Sequence, residues 1–497
     1  MIKTRFAPSP TGFLHIGSLR TALFAYLFAK KNNGRLVLRI EDTDRERFVE
    51  GGVENILNSL YWTGIIPDEG VKFDEEKNII QIGKNGPYIQ SERLGIYNKY
   101  IDELIKKNQA YYCFCSKERL QELREIQQKN NKPTGYDGSC RDCSPDEVEK
   151  RLKAGENYVI RLKMPNNGVT KFSDLVRGEV KFENKLIDDQ VLIKADGFPT
   201  YHFAVVIDDH LMGISHVIRG EEWISSTPKH IAIYKAFGWQ IPEFAHISLL
   251  VNEKKQKLSK RHGDVSVEDF REKGYLPQAL INFAAFLGWN PGDEREIFSL
   301  EELEKEFDID KLTKAAAVFN RDKLNWYNKK YMMELPINKL TSFSIPFFKN
   351  SGVLKKIDID EPHEFEKLSN AINLEKSRVN NLSELVEALG FIFTDELVYE
   401  PELLIWKKSD RESTKDNLLK LHKLLHPIKD ENWLEKKLEE TIKKYIQEHD
   451  INVGDVLWPM RVALSGQKNS PGPFEIAAVI GKNETLKRIE NAISKLK

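Results

Sequence analysis

Three groups of residues have types and spacings that could do chemistry. The first is TRFAPSPTGFLHIGS, Thr4 to Ser18. Proline fixes φ at Pro8 and Pro10 and glycine frees it at Gly12 and Gly17, so the loop follows a set path to His15, ahead of a helix expected to begin near Ser18. The N–H groups of a helix N-terminus favour an anion, and an imidazole there can donate to phosphate oxygens. Gly17 would let a flat base approach the backbone closely. The second group is NEKKQKLSKRHG, 252–263, in which Lys257 and Lys260 flank Ser259 and adjoin Arg261. The third is the full complement of cysteines, Cys113-x-Cys115 and Cys140-x-x-Cys143. In a reducing compartment two such pairs read as thiolate metal ligands before disulfides, and four thiolates suffice for a closed, structural zinc site. Each group also has a plainer reading: a structural histidine beside a tight turn, a solvated lysine-rich loop, and four buried or free thiols.

The elements that must position these groups can be read from periodicity. IKTRFA reads as a buried strand, SLRTALFAYLFAKKNNG as a helix with Leu19, Leu23, Tyr26 and Leu27 on one face, and RLVLRIED as a second strand. Strand, loop, helix and strand form a parallel crossover unit, which puts the Thr4–Ser18 loop at the carboxyl end of its first strand, where open α/β sheets bind ligands. From about 85 to 190 the pattern changes to polar helices, the cysteines and short strands, as expected of an insertion. Alternation resumes with VLIKADGFPTYHFAVVIDDHLMGISHVIRGEEW, and from about 256 the chain reads as mainly helical. The expectation is a nucleotide-binding domain split by an insertion. Neither G-x-G-x-x-G nor G-x-x-x-x-G-K-[ST] occurs, so any phosphate cradle is of another kind.

Composition sets outer bounds. A length of 497 residues predicts three to five compact units. With 40% hydrophobic and 30% charged residues and no apolar run of membrane-spanning length, the chain reads as soluble. MIKTRFAPSP lacks the build of a signal or transit peptide, which makes the cytoplasm the expected location. A net charge of −1 leaves a nucleic-acid partner to local basic patches.

HIGS (15–18) and KLSKR (257–261) resemble the two signature motifs of class I aminoacyl-tRNA synthetases. The wider stretches TRFAPSPTG, LRIEDTD, YIQSERL, YHFAVVIDDHLMGISHVIRGEEW and WPMRVALSG are similar to bacterial glutamyl-tRNA synthetases, from the first residue to the last helix. The resemblance implies that ATP, with Mg²⁺, and L-glutamate give glutamyl-adenylate, and that the terminal adenosine of tRNAGlu then takes the acyl group. It implies a division into 1–85 and 190–255 as the halves of a Rossmann-like domain and 86–189 as an acceptor-binding insertion with one zinc. The rest would be 256–325 as a stem-contact region carrying the KLSKR loop and 326–497 as a helical anticodon-binding region. Helical character there argues against glutaminyl relatives, whose anticodon domains are β-barrels, and length argues against the short paralogue that lacks the domain.

The resemblance also assigns residues. His15 belongs to the ATP α-phosphate and ribose, with Gly17 and Ser259 in the ATP site and Lys257 and Lys260 on the pyrophosphate. Ser18 stands where the general motif has a second histidine and is free to cap the helix. Arg5, Ala7, Ser9, Glu41, Tyr201 and Arg219 line the glutamate pocket, Glu41 taking the α-ammonium and Arg219 the side-chain carboxylate. Val205 replaces an asparagine of some relatives, which removes a polar contact. EKSRVNNLSEL (375–385) matches the segment that reads the third anticodon base, which makes Arg378 its reader. Two other classes of function fit less well: a tRNA-binding regulator without chemistry, which the presence of His15, Lys257 and Lys260 disfavours, and a zinc-based nucleic-acid module, which leaves the first loop unexplained.

Overall fold

The computed structural model describes residues 1–258, 265–354 and 358–497, the side chain of residue 45 excepted. Ser259 and Lys260 lie outside the described residues. The chain divides into two compact units, 1–270 with 277–321, and 271–276 with 322–497. This is fewer than length suggested, because strands of the segment expected as an insertion pair with strands that follow it.

The first unit opens with β1 (Lys3–Phe6), α1 (Ile16–Lys31) and β2 (Arg35–Leu38). β1 and β2 pair in parallel with Arg5 opposite Val37, so the expected crossover unit is present. Helix α2 (Gly52–Trp62) leads to β3 (Glu69–Phe73), parallel to β2, and β4 (Ile79–Ile82) closes that edge antiparallel. Helix α3 (Leu94–Lys106), β5 (Ala110–Cys113), α4 (Lys117–Lys129), α5 (Pro145–Lys153) and β6 (Val159–Leu162) follow. The hairpin β7 (Val169–Asp174) and β8 (Gly178–Glu183) comes next, then β9 (Val191–Ile193), α6 (Tyr201–Leu211), β10 (His216–Gly220), α7 (Thr227–Phe237) and β11 (Glu243–Ile247).

Two pairings tie the middle of the chain to its flanks. β9 adds to β6 in the sheet β5-β6-β9, and β7 adds to β11 in the sheet β10-β11-β7-β8, where Phe244 stands opposite Asp174. β10 in turn runs beside β1: Ser215 N–H donates to Lys3 O at 2.9 Å, and Arg5 Nη1 donates to Ile218 O at 3.2 Å. Val217 and Ile218, like Thr4, Arg5 and Phe6, are buried, as strands covered on both faces require. Val205 is buried in a cluster with Tyr97, Leu162, Phe203 and Tyr234, so its apolar side chain serves the core.

The second unit is helical. Its longest helix, Pro473–Lys495, breaks at Gly481, where φ is 83°, and packs against helices Pro362–Glu375, Arg411–Leu425, Glu435–Glu448 and Val453–Ser465. Leu418, Leu421, Leu438, Ile442, Met460, Val462, Ile476 and Ile489 are almost wholly withdrawn from solvent and form the core of these contacts. Among the described residues no helix is long and apolar enough to cross a membrane.

Candidate active site

The carboxyl ends of β1 and β10 open on a cavity of about 990 Å³. Its wall includes Arg5, Ala7, Ser9, His15, Glu41, Tyr201 and Arg219, so the structure gathers into one place residues drawn from distant parts of the chain. A second cavity of about 390 Å³ shares His15, Ser18, Thr21, Gly220 and Glu222 with it and is completed by Gly17, Lys257 and Leu258. Lys257 is held there by a bridge to Val251, its side chain exposed.

The helix behind the first loop starts two residues earlier than its sequence suggests, and His15 rather than Ser18 caps it. His15 Nδ1 accepts the Gly17 N–H at 3.0 Å. That bond fixes the tautomer: Nδ1 is the acceptor, so in the neutral ring the proton is on Nε2. Glycine suits position 17 in the same geometry, because a Cβ there would press to 3.3 Å on His15 Nδ1.

The two pocket arginines differ in their electrostatic state. Arg5 Nε lies 3.3 Å from Asp209 Oδ1, and the same oxygen takes Arg39 Nη1 at 2.8 Å. Arg39 also binds Glu41 Oε1 at 2.9 Å. Burial raises the Glu41 carboxyl above its usual range, against the pull of Arg39. Arg5 and Arg39 are thus compensated by buried acids.

Arg219 is not. Its Nε donates to His246 Nε2 at 3.1 Å, its Nη1 to Tyr201 Oη at 3.3 Å and to His230 Nδ1 at 3.2 Å, and its Nη2 to Thr227 Oγ1 at 2.8 Å. Only 4% of it is exposed, yet among the described residues no carboxylate pairs with it. Both neighbouring imidazoles stay neutral: burial and then the Arg219 charge push His230 far down, and burial lowers His246 despite its bond to Asp174. His202, 3.1 Å from His230, is pushed down to about 4 by burial and nearby cations. A buried guanidinium ringed by neutral acceptors keeps its whole charge for an anionic ligand. Trp223, whose ring centroid lies 4.2 Å from that of Tyr201, lines the cavity beside it.

The cysteines are brought together in part. Cys113, Cys115 and Cys140 lie with their sulfurs within 4.8 Å of one another, Cys115 Sγ 3.6 Å from Cys140 Sγ. Cys143, the expected fourth ligand, is outside this group. It stays packed against the cluster beside Cys140, directly before Ser144, the N-cap of α5. The Tyr136 hydroxyl is 3.3 Å from Cys113 Sγ and 3.8 Å from Cys115 Sγ, and the Ser139 hydroxyl is 3.2 Å from Cys115 Sγ. A hydrogen bond from Cys113 pulls the Cys140 thiol down, and Cys113 is correspondingly raised. Three soft sulfur donors with hydroxyls at the fourth side fit a small thiophilic cation such as zinc.

Arg378 is remote in sequence from all of this and occupies the turn between helices Pro362–Glu375 and Leu382–Leu389. Its Nη1 binds Glu375 Oε1 at 3.0 Å, and about half of its side chain is exposed.

The sequence reading missed His230, His246, Thr227 and Asp174. The one local signal was a histidine inside the otherwise apolar strand EFAHI, a residue type that needs a partner when buried.

The cavities at strand ends, the histidine-capped helix and Lys257 at the smaller cavity describe a class I synthetase catalytic fold followed by a helical module. The family of tRNA synthetases class I (E and Q), catalytic domain, matches residues 1–326, and the Anticodon binding domain family matches residues 339–493. The chain is 46% identical over 501 residues to the glutamate–tRNA ligase of Finegoldia magna, with 99% of each chain covered. It is 45% identical to that of Clostridioides difficile, with 98% of each covered. Its fold matches a crystal structure of a glutamate tRNA ligase from Elizabethkingia meningosepticum in complex with its amino acid at a TM-score of 0.85, 36% identity and 100% of both chains. The chain belongs to the glutamate–tRNA ligase family.

Proposed function

We propose that this protein activates L-glutamate with ATP and transfers it to the terminal adenosine of tRNAGlu in the cytoplasm, with Arg219 as the reader of the glutamate side chain. The observation that carries this assignment is the buried, uncompensated guanidinium of Arg219 in the larger cavity. A carboxylate has the charge and fork-matched geometry to complete it, and glutamine's neutral amide does not. Glu41 engages Arg39 through Oε1, which leaves Oε2 for the α-ammonium. Arg5, Ala7, Ser9 and Tyr201 border the same substrate.

The reaction needs no protein nucleophile. The glutamate α-carboxylate attacks the α-phosphorus of ATP, which arrives as its magnesium complex, and pyrophosphate leaves. The 2′-hydroxyl of the tRNA then takes the acyl group, and AMP leaves. His15, through Nε2, meets the α-phosphate and ribose, Gly17 and Ser259 line the ATP site, and Lys257 and Lys260 meet charge that grows on the departing pyrophosphate. Zinc held by Cys113, Cys115 and Cys140 would be structural, stiffening the segment that holds the acceptor end. Residues 86–189 take that role, 256–325 the stem and 326–497 the anticodon, where Arg378 reads the third base.

The test is aminoacylation with glutamate and with glutamine on purified tRNAGlu and tRNAGln, for the unaltered protein and for Arg219→Gln. Glutamylation of tRNAGlu, with preference for glutamate over glutamine falling at least about tenfold in the variant, is expected. An Arg219→Gln protein with the original preference would remove Arg219 from the assignment.

A further inference from the structure

Arg219 and His246 are register partners on adjacent parallel strands, β10 and β11, and Asp174 ends β7 on the far side of β11. Register partners share a face of the sheet, so the backbone itself brings the guanidinium and the imidazole together. The bonds then run in one direction. Asp174 Oδ2 lies 2.5 Å from His246 Nδ1, and its two oxygens also accept the His246 backbone N–H at 3.3 and 3.2 Å. Backbone N–H groups of Val176 and Arg177 donate to Asp174 Oδ1 at 3.0 and 2.9 Å. Asp174 is therefore an ionised acceptor: burial raises its carboxyl, and these donors, His246 foremost, bring it below its usual range. An ionised acceptor at Nδ1 fixes the proton there and leaves Nε2 as a lone pair.

That lone pair is what Arg219 Nε meets at 3.1 Å. The alternative tautomer would turn an N–H toward the guanidinium. A carboxylate in the place of the imidazole would orient the guanidinium equally well and cancel its charge. We infer that His246, locked by Asp174, is a positioning residue for glutamate recognition: it aims Arg219 through a neutral acceptor and keeps an acid one residue away from the charge that the substrate must find. The inference rests on Arg219 being the reader of the substrate side chain. His230 supplies a similar neutral acceptor to Nη1, but its other nitrogen faces His202, so no carboxylate fixes its tautomer.

The experiment measures KM for glutamate, KM for ATP, kcat and thermal stability for His246→Leu, His246→Gln, Asp174→Asn and Arg219→Gln. Leucine removes the acceptor, whereas the glutamine side-chain carbonyl can restore one at similar reach. The expected result is a rise of roughly tenfold in KM for glutamate in His246→Leu, with KM for ATP within about twofold, and most of the loss restored in His246→Gln. Asp174→Asn, which frees the tautomer, should raise KM for glutamate in the same sense, and it decides the matter if His246→Leu does not fold. Equal rises in both KM values, no rescue by glutamine beyond the leucine level, or an unchanged KM for glutamate in Asp174→Asn would overturn the positioning role. If Arg219→Gln alone loses glutamate, only this inference falls; if Arg219→Gln keeps normal glutamate KM and preference, the Arg219 assignment falls first.

Discussion

Arg5 on β1 and Asp209 on α6 form a buried ion pair, Nε to Oδ1 at 3.3 Å, each with 4% of its side chain exposed. Asp209 also holds Arg39, so one carboxylate serves two buried guanidinium groups. Arg5 enters the pocket wall already neutralised, and Arg219 does not. The two arginines of the cavity wall therefore differ in charge balance: one is paired to a helix carboxylate, and the other has no carboxylate partner among the described residues.

Removing Asp209 should therefore damage the fold before it damages recognition. Asp209→Ala strands the buried Arg5 guanidinium and takes one of the partners of Arg39, which keeps Glu41, and breaking a buried pair in this way costs about 3–5 kcal/mol. The expected outcome is a large drop in the melting temperature of the first unit, measured by calorimetry. A melting curve that matches the unaltered protein would show that Arg5 and Arg39 find compensation elsewhere.

Lys257 lines the smaller cavity with an exposed side chain, and its duty is proposed to begin only as charge moves to the pyrophosphate. Lys257→Ala should lower the rate of glutamyl-adenylate formation by roughly a hundredfold while glutamate binding is little changed, as for loss of one donor to a developing anion. Lys260→Ala should behave alike. Pyrophosphate exchange beside calorimetric glutamate binding separates the two; parallel losses in both would mean a general defect.

The thiol geometry makes a graded claim about metal. Freshly reduced protein should carry one zinc per chain, retained in Cys143→Ser and lost in Cys113→Ser, Cys115→Ser or Cys140→Ser, because among the described residues those three sulfurs lie within 4.8 Å of one another while Cys143 packs beside them. Elemental analysis with a chromogenic chelator reads the stoichiometry. Loss of zinc in Cys143→Ser would restore that residue as a ligand.

His202 offers a pH test of the second layer. Its ring titrates at about 4 in the folded protein against 6.5 unfolded. Between those values the unfolded chain binds more protons, so stability falls as pH falls, by about 2 kcal/mol from pH 7 to pH 5 for this group alone. Thermal melts at the two pH values, compared with His202→Gln, should give the variant the smaller acid loss. Equal losses would mean that the ring is not held neutral.

In the helical unit, Arg378→Gln should raise charging of tRNAGln relative to tRNAGlu by roughly tenfold if the guanidinium discriminates the third anticodon base, within the range of about 1–3 kcal/mol for a base-edge contact. Competition assays with both tRNAs give the ratio. Efficient charging of tRNAGln by the unaltered protein would overturn the role.

What could be read from sequence was what is local. The first crossover unit, the loop before His15 and the helical character of the C-terminal half follow from periodicity and from glycine and proline, all effects within a few residues. The His15 cap was misplaced onto Ser18, since a histidine cap depends on the rotamer that brings Nδ1 onto Gly17 N–H. The surroundings of Arg219 were illegible for a different reason: Tyr201, Thr227, His230 and His246 come from α6, α7 and β11, and Asp174 from a hairpin whose alternation gives no hint of which sheet it joins. Spacing alone also could not say how closely Cys143 approaches the other thiols: three sulfurs lie within 4.8 Å of one another, and Cys143 packs beside them at the start of a helix.

The neighbouring positions of β1 and β10 bear on how the chain comes into being. Lys3 N–H donates to Ser215 Oγ, a partner 212 residues downstream. On a ribosome adding about 5–20 residues per second, β1 waits roughly 10–40 s for that partner to be made. During that interval one edge of the nascent β1-β2-β3 sheet is unpaired, in a strand whose TRF is destined for complete burial. The strand thus spends the synthesis of about two hundred residues with one edge open, which exposes it to capture by chaperones or by a second nascent chain.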